Sequence, residues 1–398
     1  MLIAARITTT LTGMPAPLTT THGAWIEERD CNLNDFHALV SQHTDLADYP
    51  LAVDVRRDVL VYSAETVATA DRCRLQAELI RALADGPGVV VFEGAFDADV
   101  VDAASEAFTA IIEAQRGVTA GDHFGKAGAN DRIWNAAQKL ALHAPAVFAD
   151  YYAADALALV SQAWLGPRYQ VTSQVNVVNP GGAAQVPHRD YHLGFVAADQ
   201  LTAFPAHVHR MSAMLTLQGA VAHCDMPLHS GPTMLLPHSQ RYAGGYVAFY
   251  RPEFIDYFAR HHVQVPLRKG DAVFFNPALY HGAGANTSTD IRRMANLLQI
   301  SSPFGRAMEA LDRTAMVRAV YPALQAMRAA GRPDREIRNV VNAAAEGYAF
   351  PTNLDRDQPI GSLAPPSQVD TVLAALAGGL TPEALDIALG DQHERRIP

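Results

Sequence analysis

The chain reads Gln185-Val186-Pro187-His188-Arg189-Asp190 shortly after a Pro/Gly-rich turn at residues 180–182. Residues two apart on an extended strand lie on the same face, so His188 and Asp190 would present an imidazole and a carboxylate to one point. Such a pair supplies two ligands for a metal ion. A lone His-x-Asp segment is common, however, and by itself is more often structural than metal-binding.

A third ligand is predicted in residues 270–282, where a strand pattern leads directly to His281 and is followed by Gly282. Two histidines and one carboxylate leave one face of an octahedral metal ion open. That arrangement is typical of non-haem iron(II) sites that bind a co-substrate and dioxygen. We therefore predict that His188, Asp190 and His281 hold iron(II).

The pattern of hydrophobic residues around these segments predicts the fold class. Between residues 169 and 302 the hydrophobic period is two, with helical patterns on both sides. Short strands with flanking helices indicate an α+β protein, mainly β, with a double-stranded β-helix core (jelly-roll, cupin-like) and a helical jacket. The predicted strands are 169–178, 208–217, 233–236, 263–267, 272–275 and 292–300. The predicted helices include 75–83, 97–112, 145–165, 308–330, 334–346 and 369–389.

Composition limits the partners and the compartment. The 398 residues carry a formal charge of -10, and no Lys/Arg cluster offsets it, which disfavours nucleic acid as a partner. The three cysteines form no C-x-x-C pair, so we expect neither a disulfide framework nor a zinc knuckle. Apolar runs are too short for a secretory signal or a membrane span. These features predict a cytoplasmic protein that binds neither nucleic acid nor membranes.

Arg292 follows His281 by eleven residues in a strand-like segment. Its guanidinium could form a bidentate pair with the distal carboxylate of 2-oxoglutarate, although a surface arginine is the alternative. Arg292 and Arg293 point to opposite faces of a strand, and periodicity does not decide which one faces the interior.

Taken together and in order, these segments resemble the phytanoyl-CoA dioxygenase family of 2-oxoglutarate oxygenases. The resemblance covers roughly residues 75–302 and does not extend into the flanks on either side. It is carried by Gly88-Val89-Val90-Val91-Phe92, Leu165-Gly166-Pro167, His188-Arg189-Asp190, residues 231–239 (GPTMLLPHS) and residues 281–286 (HGAGAN) with Arg292. One departure lies at residues 237–240, which read Pro-His-Ser-Gln where the family usually has Pro-Gly-Ser-His.

The resemblance implies a function and a division of the chain. It implies a double-stranded β-helix in which His188, Asp190 and His281 bind iron. The family's spacing from the distal histidine selects Arg292 as the residue that binds 2-oxoglutarate. The implied reaction is hydroxylation of an unactivated C–H bond of a metabolite, using O2 and releasing succinate and CO2. Desaturation, epoxidation and ring closure stay open. We predict an N-terminal extension (1–74), an oxygenase domain (75–302) and a helical C-terminal extension packed on the core (303–398).

Several further residues are candidates for ligand contacts. Gln174 and Asn176 share one face of a predicted strand and could contact the co-substrate, or equally buried water or backbone. His192 could face the substrate or be a core histidine. Residues 119–135 have the composition of a lid, which makes Lys126 and Trp134 candidate substrate contacts, with a solvated surface loop as the alternative.

Two other functions fit part of this pattern. A cupin-type isomerase or hydrolase would use the same three ligands with zinc or manganese as a Lewis acid, but it gives Arg292 no role. A non-catalytic β-helix could bind a metabolite as a regulator. Anaerobic addition of iron(II) and 2-oxoglutarate distinguishes them, because only the oxygenase should develop a visible charge-transfer band.

Overall fold

The computed structural model describes residues 23–115 and 130–398. The strands of these residues are β1 (Asp54–Arg56), β2 (Val59–Ser63), β3 (Val89–Glu93), β4 (Asn130–Ile133), β5 (Gln170–Val178), β6 (Thr216–Ala222), β7 (Met234–Leu236), β8 (Ala272–Phe275), β9 (Tyr280–Gly282) and β10 (Arg293–Ser301). The helices are α1 (Leu33–Val40), α2 (Ala64–Thr69), α3 (Arg72–Ala84), α4 (Ala98–Gln115), α5 (Ala136–His143), α6 (Pro145–Tyr152), α7 (Asp155–Leu165), α8 (Ala198–Leu201), α9 (Ala206–Met214), α10 (Gly245–Ala248), α11 (Pro252–His261), α12 (Arg313–Ala329), α13 (Asp334–Ala344), α14 (Gln368–Gly378) and α15 (Pro382–Arg396).

Two sheets form the core. Among the described residues, the larger sheet has the strand order β1-β2-β3-β8-β6-β10-β5-β4, and the smaller sheet pairs β7 with β9. Isolated bridges from His188 to His281 and from Leu235 to Val263 widen the smaller sheet on both sides. With helices around it, this is a jelly-roll, double-stranded β-helix, and the predicted fold class is confirmed.

Strand β5 shows how the larger sheet separates core from cavity. All nine of its residues are buried. Val171, Val175 and Val177 belong to the hydrophobic cluster that the sheet forms with the helices, whereas Gln174 and Asn176 on the opposite face line a cavity. Burial of each valine contributes about 1.5–3 kcal/mol, so the helical jacket fixes the face that the amides present.

The C-terminal helices join this same cluster. Met316, Val320 and Leu324 of α12 are buried in it together with residues of β5. The first predicted boundary falls inside the larger sheet, because β2 pairs in parallel with β3 across it. The larger sheet is therefore continuous across residue 74. The division of the chain at residues 74 and 302 stays a prediction.

Two predicted strands were wrong. Residues 206–214 form helix α9, which begins directly after Pro205, and the strand starts only at Thr216. The buried positions of α9 are His209, Ser212 and Ala213, so its inward face lacks the apolar stripe that identifies a helix in sequence. Residues 263–267 make only isolated bridges, at Val263 and Leu267.

Two long predicted helices are each divided in two. The 145–165 pattern breaks between α6 and α7, and the 369–389 pattern breaks between α14 and α15. At the second break Gly379 adopts φ +64°, Thr381 caps the next helix and Pro382 begins it. A left-handed glycine followed by a cap and proline is the sequence of signals that ends one helix and starts another. In the part of the chain that the structure describes, no helix combines the length and apolar character needed to cross a membrane.

His223 connects the sheet to the helical jacket. Its Nδ1 lies 2.8 Å from Ser105 Oγ of α4, and its Nε2 lies 2.9 Å from Tyr151 Oη of α6. Burial lowers the pKa of His223 from 6.5 to about 3. The folded protein therefore keeps this imidazole neutral at pH values where the unfolded chain protonates it.

We expect His223 to make the fold acid-sensitive. Between pH 6.5 and about 3 the unfolded state binds a proton that the folded state does not, so stability falls as the pH falls through this window. From pH 7 to pH 5 the loss is about 2 kcal/mol. Urea unfolding of His223→Gln should show a pH dependence flatter by about this amount. His143 is exposed, so His143→Gln serves as the control. If the unfolding free energy of His223→Gln changed with pH as it does in the wild type, His223 would not be the cause of the acid sensitivity.

Candidate metal centre and its cavity

The two histidines are held side by side by backbone pairing. His188 N donates to His281 O at 3.0 Å, and His281 N donates to His188 O at 3.2 Å. The Nδ1 atom of His188 lies 3.1 Å from Val186 O, and that of His281 lies 2.8 Å from Leu279 O. A carbonyl can only accept, so each Nδ1 carries the proton and each Nε2 carries a free lone pair. Both rings are thereby in the tautomer that binds a metal through Nε2.

Asp190 completes the cluster. Its Oδ2 lies 3.4 Å from His281 Nε2 and 3.8 Å from His188 Nε2. One ligand atom from each of the three residues lies within 4.8 Å of the others. The Asp190 backbone N–H donates to Pro277 O at 2.9 Å, and Gln218 Nε2 donates to its Oδ2 at 2.6 Å. The three side chains could hold one metal ion and leave its remaining positions open.

The local electrostatics favour the metal-binding protonation states. Burial lowers the pKa of His188, and the neighbouring His281 lowers it further. Burial alone would raise the pKa of Asp190, but His188, His281 and the Gln218 amide together bring it below its usual range. A neutral imidazole and an ionised carboxylate are the forms that coordinate a cation.

Arg189 anchors the segment between the two ligands. Its side chain is buried, and Nη2 donates to Ser239 O and to Tyr242 O. The guanidinium lies over the rings of Tyr246 and Tyr280, 5.1 and 5.2 Å from their centroids, which is cation–π geometry. Because Arg189 points to the opposite face, its neighbours His188 and Asp190 both point towards the metal centre.

Residues 237–240, which depart from the usual family motif, form their turn with His238 where the family usually has glycine. His238 adopts φ +67°, a backbone conformation that glycine favours, and its Nδ1 lies 3.1 Å from Gly86 O. In the next position, the Ser239 hydroxyl donates to Leu236 O and accepts from Tyr280 N at 2.8 Å. The turn therefore supports the strand that carries His281.

A cavity of about 1000 Å³ opens in front of the metal centre. It lies between the two sheets, and its lining combines the three candidate ligands with apolar and amide side chains. The lining includes Gln174, Asn176, Val186, His188, Asp190, Tyr191, Phe195, Gln218, Phe249, Tyr250, Ile255, Phe275, His281, Arg293, Leu297 and Gln299.

The structure places Arg292 and Arg293 differently from the prediction. The Arg292 side chain is 55% exposed, pairs with Asp131 at 3.0 Å and does not line the cavity. Arg293 is buried and lines it, and its Nη1 donates to Ser230 O and Gly284 O, both at 3.0 Å. The cause is strand register: Arg293 pairs with Val178, on the face that carries Asn176 and Gln174. The arginine in the cavity is therefore one residue later than predicted.

Gln174 and Asn176 both lie in the cavity wall. Gln174 Oε1 accepts from Arg132 Nη1 at 3.0 Å, and its Nε2 contacts Met308 Sδ at 3.3 Å. Asn176 is buried, and its Oδ1 has no hydrogen-bond partner among the described residues. Their position fits a ligand contact, and their predicted role in binding co-substrate stays a prediction.

The three candidate substrate contacts are not brought together in the described part of the chain. His192 lies beside the cavity wall, with Gly305 next to its ring, and is not a lining residue. Trp134 packs against the Arg132 guanidinium, 5.0 Å from its ring centroid, and is also not a lining residue. Lys126 and most of the predicted lid lie outside the described residues.

Comparison with known proteins identifies the family. Residues 84–294, more than half of the chain, match the phytanoyl-CoA dioxygenase (PhyH) family, and the chain belongs to it. It is thus an enzyme of the iron(II)- and 2-oxoglutarate-dependent class, with Fe(II) as cofactor and 2-oxoglutarate as co-substrate. No curated protein sequence matches the chain.

Solved structures with similarity to the chain include two enzymes from nogalamycin biosynthesis. The non-heme alpha ketoglutarate dependent epimerase SnoN is 21% identical, over 58% of this chain and 84% of that chain, with a TM-score of 0.40. The carbocyclase SnoK is 19% identical, over 60% of this chain and 86% of that chain, with a TM-score of 0.42. Both are too distant to bear on the reaction of this chain.

Gln218 is a residue that sequence reasoning missed, and we expect it to stabilise the metal centre. Removing its hydrogen bond to Asp190 in Gln218→Leu should weaken iron binding by about 10–100-fold, because partners behind metal ligands orient them. Anaerobic iron titration against a competing chelator measures this. Gln299→Leu is a matched control on the neighbouring strand, since Gln299 is the Cα partner of Gln218 and has no bond to Asp190. Equal affinities of both variants would show that the bond is unimportant.

Proposed function

We propose that this protein couples oxidative decarboxylation of 2-oxoglutarate to hydroxylation of an unactivated C–H bond in a small molecule. In this proposal His188, Asp190 and His281 bind Fe(II), and Arg293 takes the role predicted for Arg292. The observation that carries it is the convergence of three ligand atoms in the same cavity as a buried arginine. Asn176 is proposed as a further contact of the co-substrate.

Arg293 has the properties of a carboxylate anchor. Only its Nη1 atom is used by backbone carbonyls, so the edge formed by Nε and Nη2 has no hydrogen bond to a described residue. That edge is the one that binds a carboxylate through two parallel hydrogen bonds. Burial lowers the pKa of Arg293 to about 10, which still leaves it charged near neutral pH. An anion at this edge would compensate a buried charge that has no acidic partner in the described ranges.

The protein's contribution to the reaction is position and exclusion of water. When bound, iron supplies the oxidising chemistry together with dioxygen and 2-oxoglutarate, which leaves as succinate and CO2. The backbone bonds at both Nδ1 atoms fix the imidazoles, and Gln218 fixes the carboxylate. Once a substrate fills the cavity, the apolar part of the cavity wall would limit access of bulk water to the reacting atoms.

The test is anaerobic addition of Fe(II) and 2-oxoglutarate to the metal-free protein. We expect a visible charge-transfer band that needs both additions and is absent when Mg(II) replaces Fe(II). Under oxygen and with a turnover substrate, succinate should form in step with a product that gains one oxygen atom. Absence of the band would overturn the proposal. A dehydrogenated or cyclised product would replace hydroxylation by desaturation or ring closure and leave the rest of the proposal unchanged.

A further inference from the structure

We infer that the cavity contains a second subsite, for a bulky and mostly apolar substrate that carries a hydrogen-bonding group. This inference rests on the proposed function. The apolar part of this subsite is the rim, which we define as Val186, Phe195 and Tyr250. Its polar part is the amide of Gln299 in the cavity wall.

The size of the cavity leaves room for a second ligand. A volume of about 1000 Å³ is at the upper end of the range that encloses drug-sized molecules. A five-carbon dicarboxylate on Arg293 and the metal fills only a small part of it. The remaining space fits a molecule much larger than the co-substrate.

Strand β10 shows that this space extends beyond the co-substrate. Arg293 and Gln299 lie on the same face, six residues apart, so their Cα atoms are separated by about 20 Å. Gln299 pairs in register with Gln218, whose amide bonds the Asp190 carboxylate. The cavity wall therefore continues along β10 well beyond Arg293, and Gln299 is available to a molecule that binds beside the co-substrate near the metal centre.

Gln299 has an unmet hydrogen-bonding requirement. Its side chain is buried, and its Oε1 has no partner among the described residues. A buried amide oxygen without a hydrogen-bond partner is destabilising, and a ligand that donates to it removes that cost. Because the amide can rotate, it accepts from a hydroxyl or N–H group and donates to a carbonyl. The substrate should therefore carry such a group close to the position that is oxidised.

The rim is apolar and open to solvent. Val186, Phe195 and Tyr250 are 68%, 57% and 41% exposed, and they come from three separate segments of the chain. All three line this one cavity, with Phe249 and Ile255 also in its wall. Large apolar side chains that gather at a cavity mouth mark a ligand-binding surface. An apolar molecule that enters the cavity would cover them.

N-Phenyl-1-naphthylamine is a suitable probe because it is neutral, apolar and carries one N–H donor, and its fluorescence rises in apolar surroundings. With Fe(II) and 2-oxoglutarate bound under anaerobic conditions, we expect one probe molecule to bind per chain. Phe195→Ser and Tyr250→Ser should each weaken binding about tenfold, because each removes apolar contact area. Leu363→Ser is the control, since Leu363 is fully exposed and lies outside the cavity wall. Unsaturable binding, or equal binding by all four proteins, would overturn the inference.

A second comparison isolates Gln299. Gln299→Leu should weaken binding of N-phenyl-1-naphthylamine about fivefold. Binding of its N-methyl derivative should be unaffected or tighter, because only the parent compound has an N–H group that can donate to the Gln299 amide. Equal effects on both probes would remove Gln299 from the subsite. All variants should keep the charge-transfer band. If the band forms and the probe does not bind, the inference fails and the proposed function stands; if the wild-type band is absent, the proposed function itself fails.

Discussion

Asp190→Ala should lose oxygen-coupled turnover and bind iron more than about 100-fold more weakly than the wild type. Asp190 contributes the only carboxylate of the described cluster, and its Oδ2 faces both imidazole Nε2 atoms. Two neutral imidazoles cannot balance the charge of Fe(II) or complete its protein ligand set. Even residues behind metal ligands cost 10–100-fold when removed, so loss of a ligand should cost more. Succinate formation and anaerobic iron titration measure the two effects.

The matched control for this variant is Asp199→Ala. Asp199 lies nine residues further along the chain, is exposed and has no part in the cluster. It should retain wild-type succinate formation and iron affinity. Comparable succinate formation by Asp190→Ala and the wild type would exclude the proposed ligand set, provided that both variants melt at similar temperatures.

Arg293→Ala should raise the KM for 2-oxoglutarate by at least about 30-fold, whereas Arg292→Ala should stay near the wild-type value. Loss of a buried partner for a carboxylate costs about 2–5 kcal/mol, and each 1.4 kcal/mol is tenfold in affinity. Arg293 is buried in the cavity wall, while Arg292 pairs with Asp131 at the surface. The two adjacent arginines thus form their own matched pair.

Arg293→Lys covers the case in which alanine destabilises the fold. Arg293 also donates to Ser230 O and Gly284 O, so its removal leaves two buried carbonyls with one bond fewer. Lysine keeps the charge but cannot form two parallel bonds to a carboxylate, and its KM defect should be smaller than that of alanine and still measurable. A larger defect in Arg292→Ala than in both Arg293 variants would return the anchor to Arg292.

The sequence was sufficient for the fold class and for bringing together the three residues of the candidate metal centre. His188 and Asp190 are two residues apart, and this local spacing already places them on one face. His281 could be paired with them because a strand pattern runs directly into it. Both inferences rest on short-range geometry that the sequence carries explicitly.

Long-range register could not be read from the sequence in the same way. Arg292 and Arg293 differ only in which face of β10 they occupy, and that is set by pairing with β5, more than a hundred residues earlier. Gln218 was missed because its hydrogen bond joins it to Asp190, 28 residues earlier in the chain. Helix α9 was mistaken for a strand because its buried face carries His209 and Ser212, so the packing of its surroundings, rather than its own pattern, decides its structure.

The parallel pairing of β2 with β3 bears on how the protein can be shortened. A truncated chain beginning at residue 75, the predicted start of the catalytic domain, would lack β1 and β2. Strand β3 would then become the edge of the larger sheet, with the backbone of Val89–Glu93 unpaired on one side and the buried valines Val89 and Val91 uncovered. Unpaired apolar edge strands recruit other chains. Such a fragment should form insoluble assemblies, so the smallest useful catalytic fragment begins before Asp54.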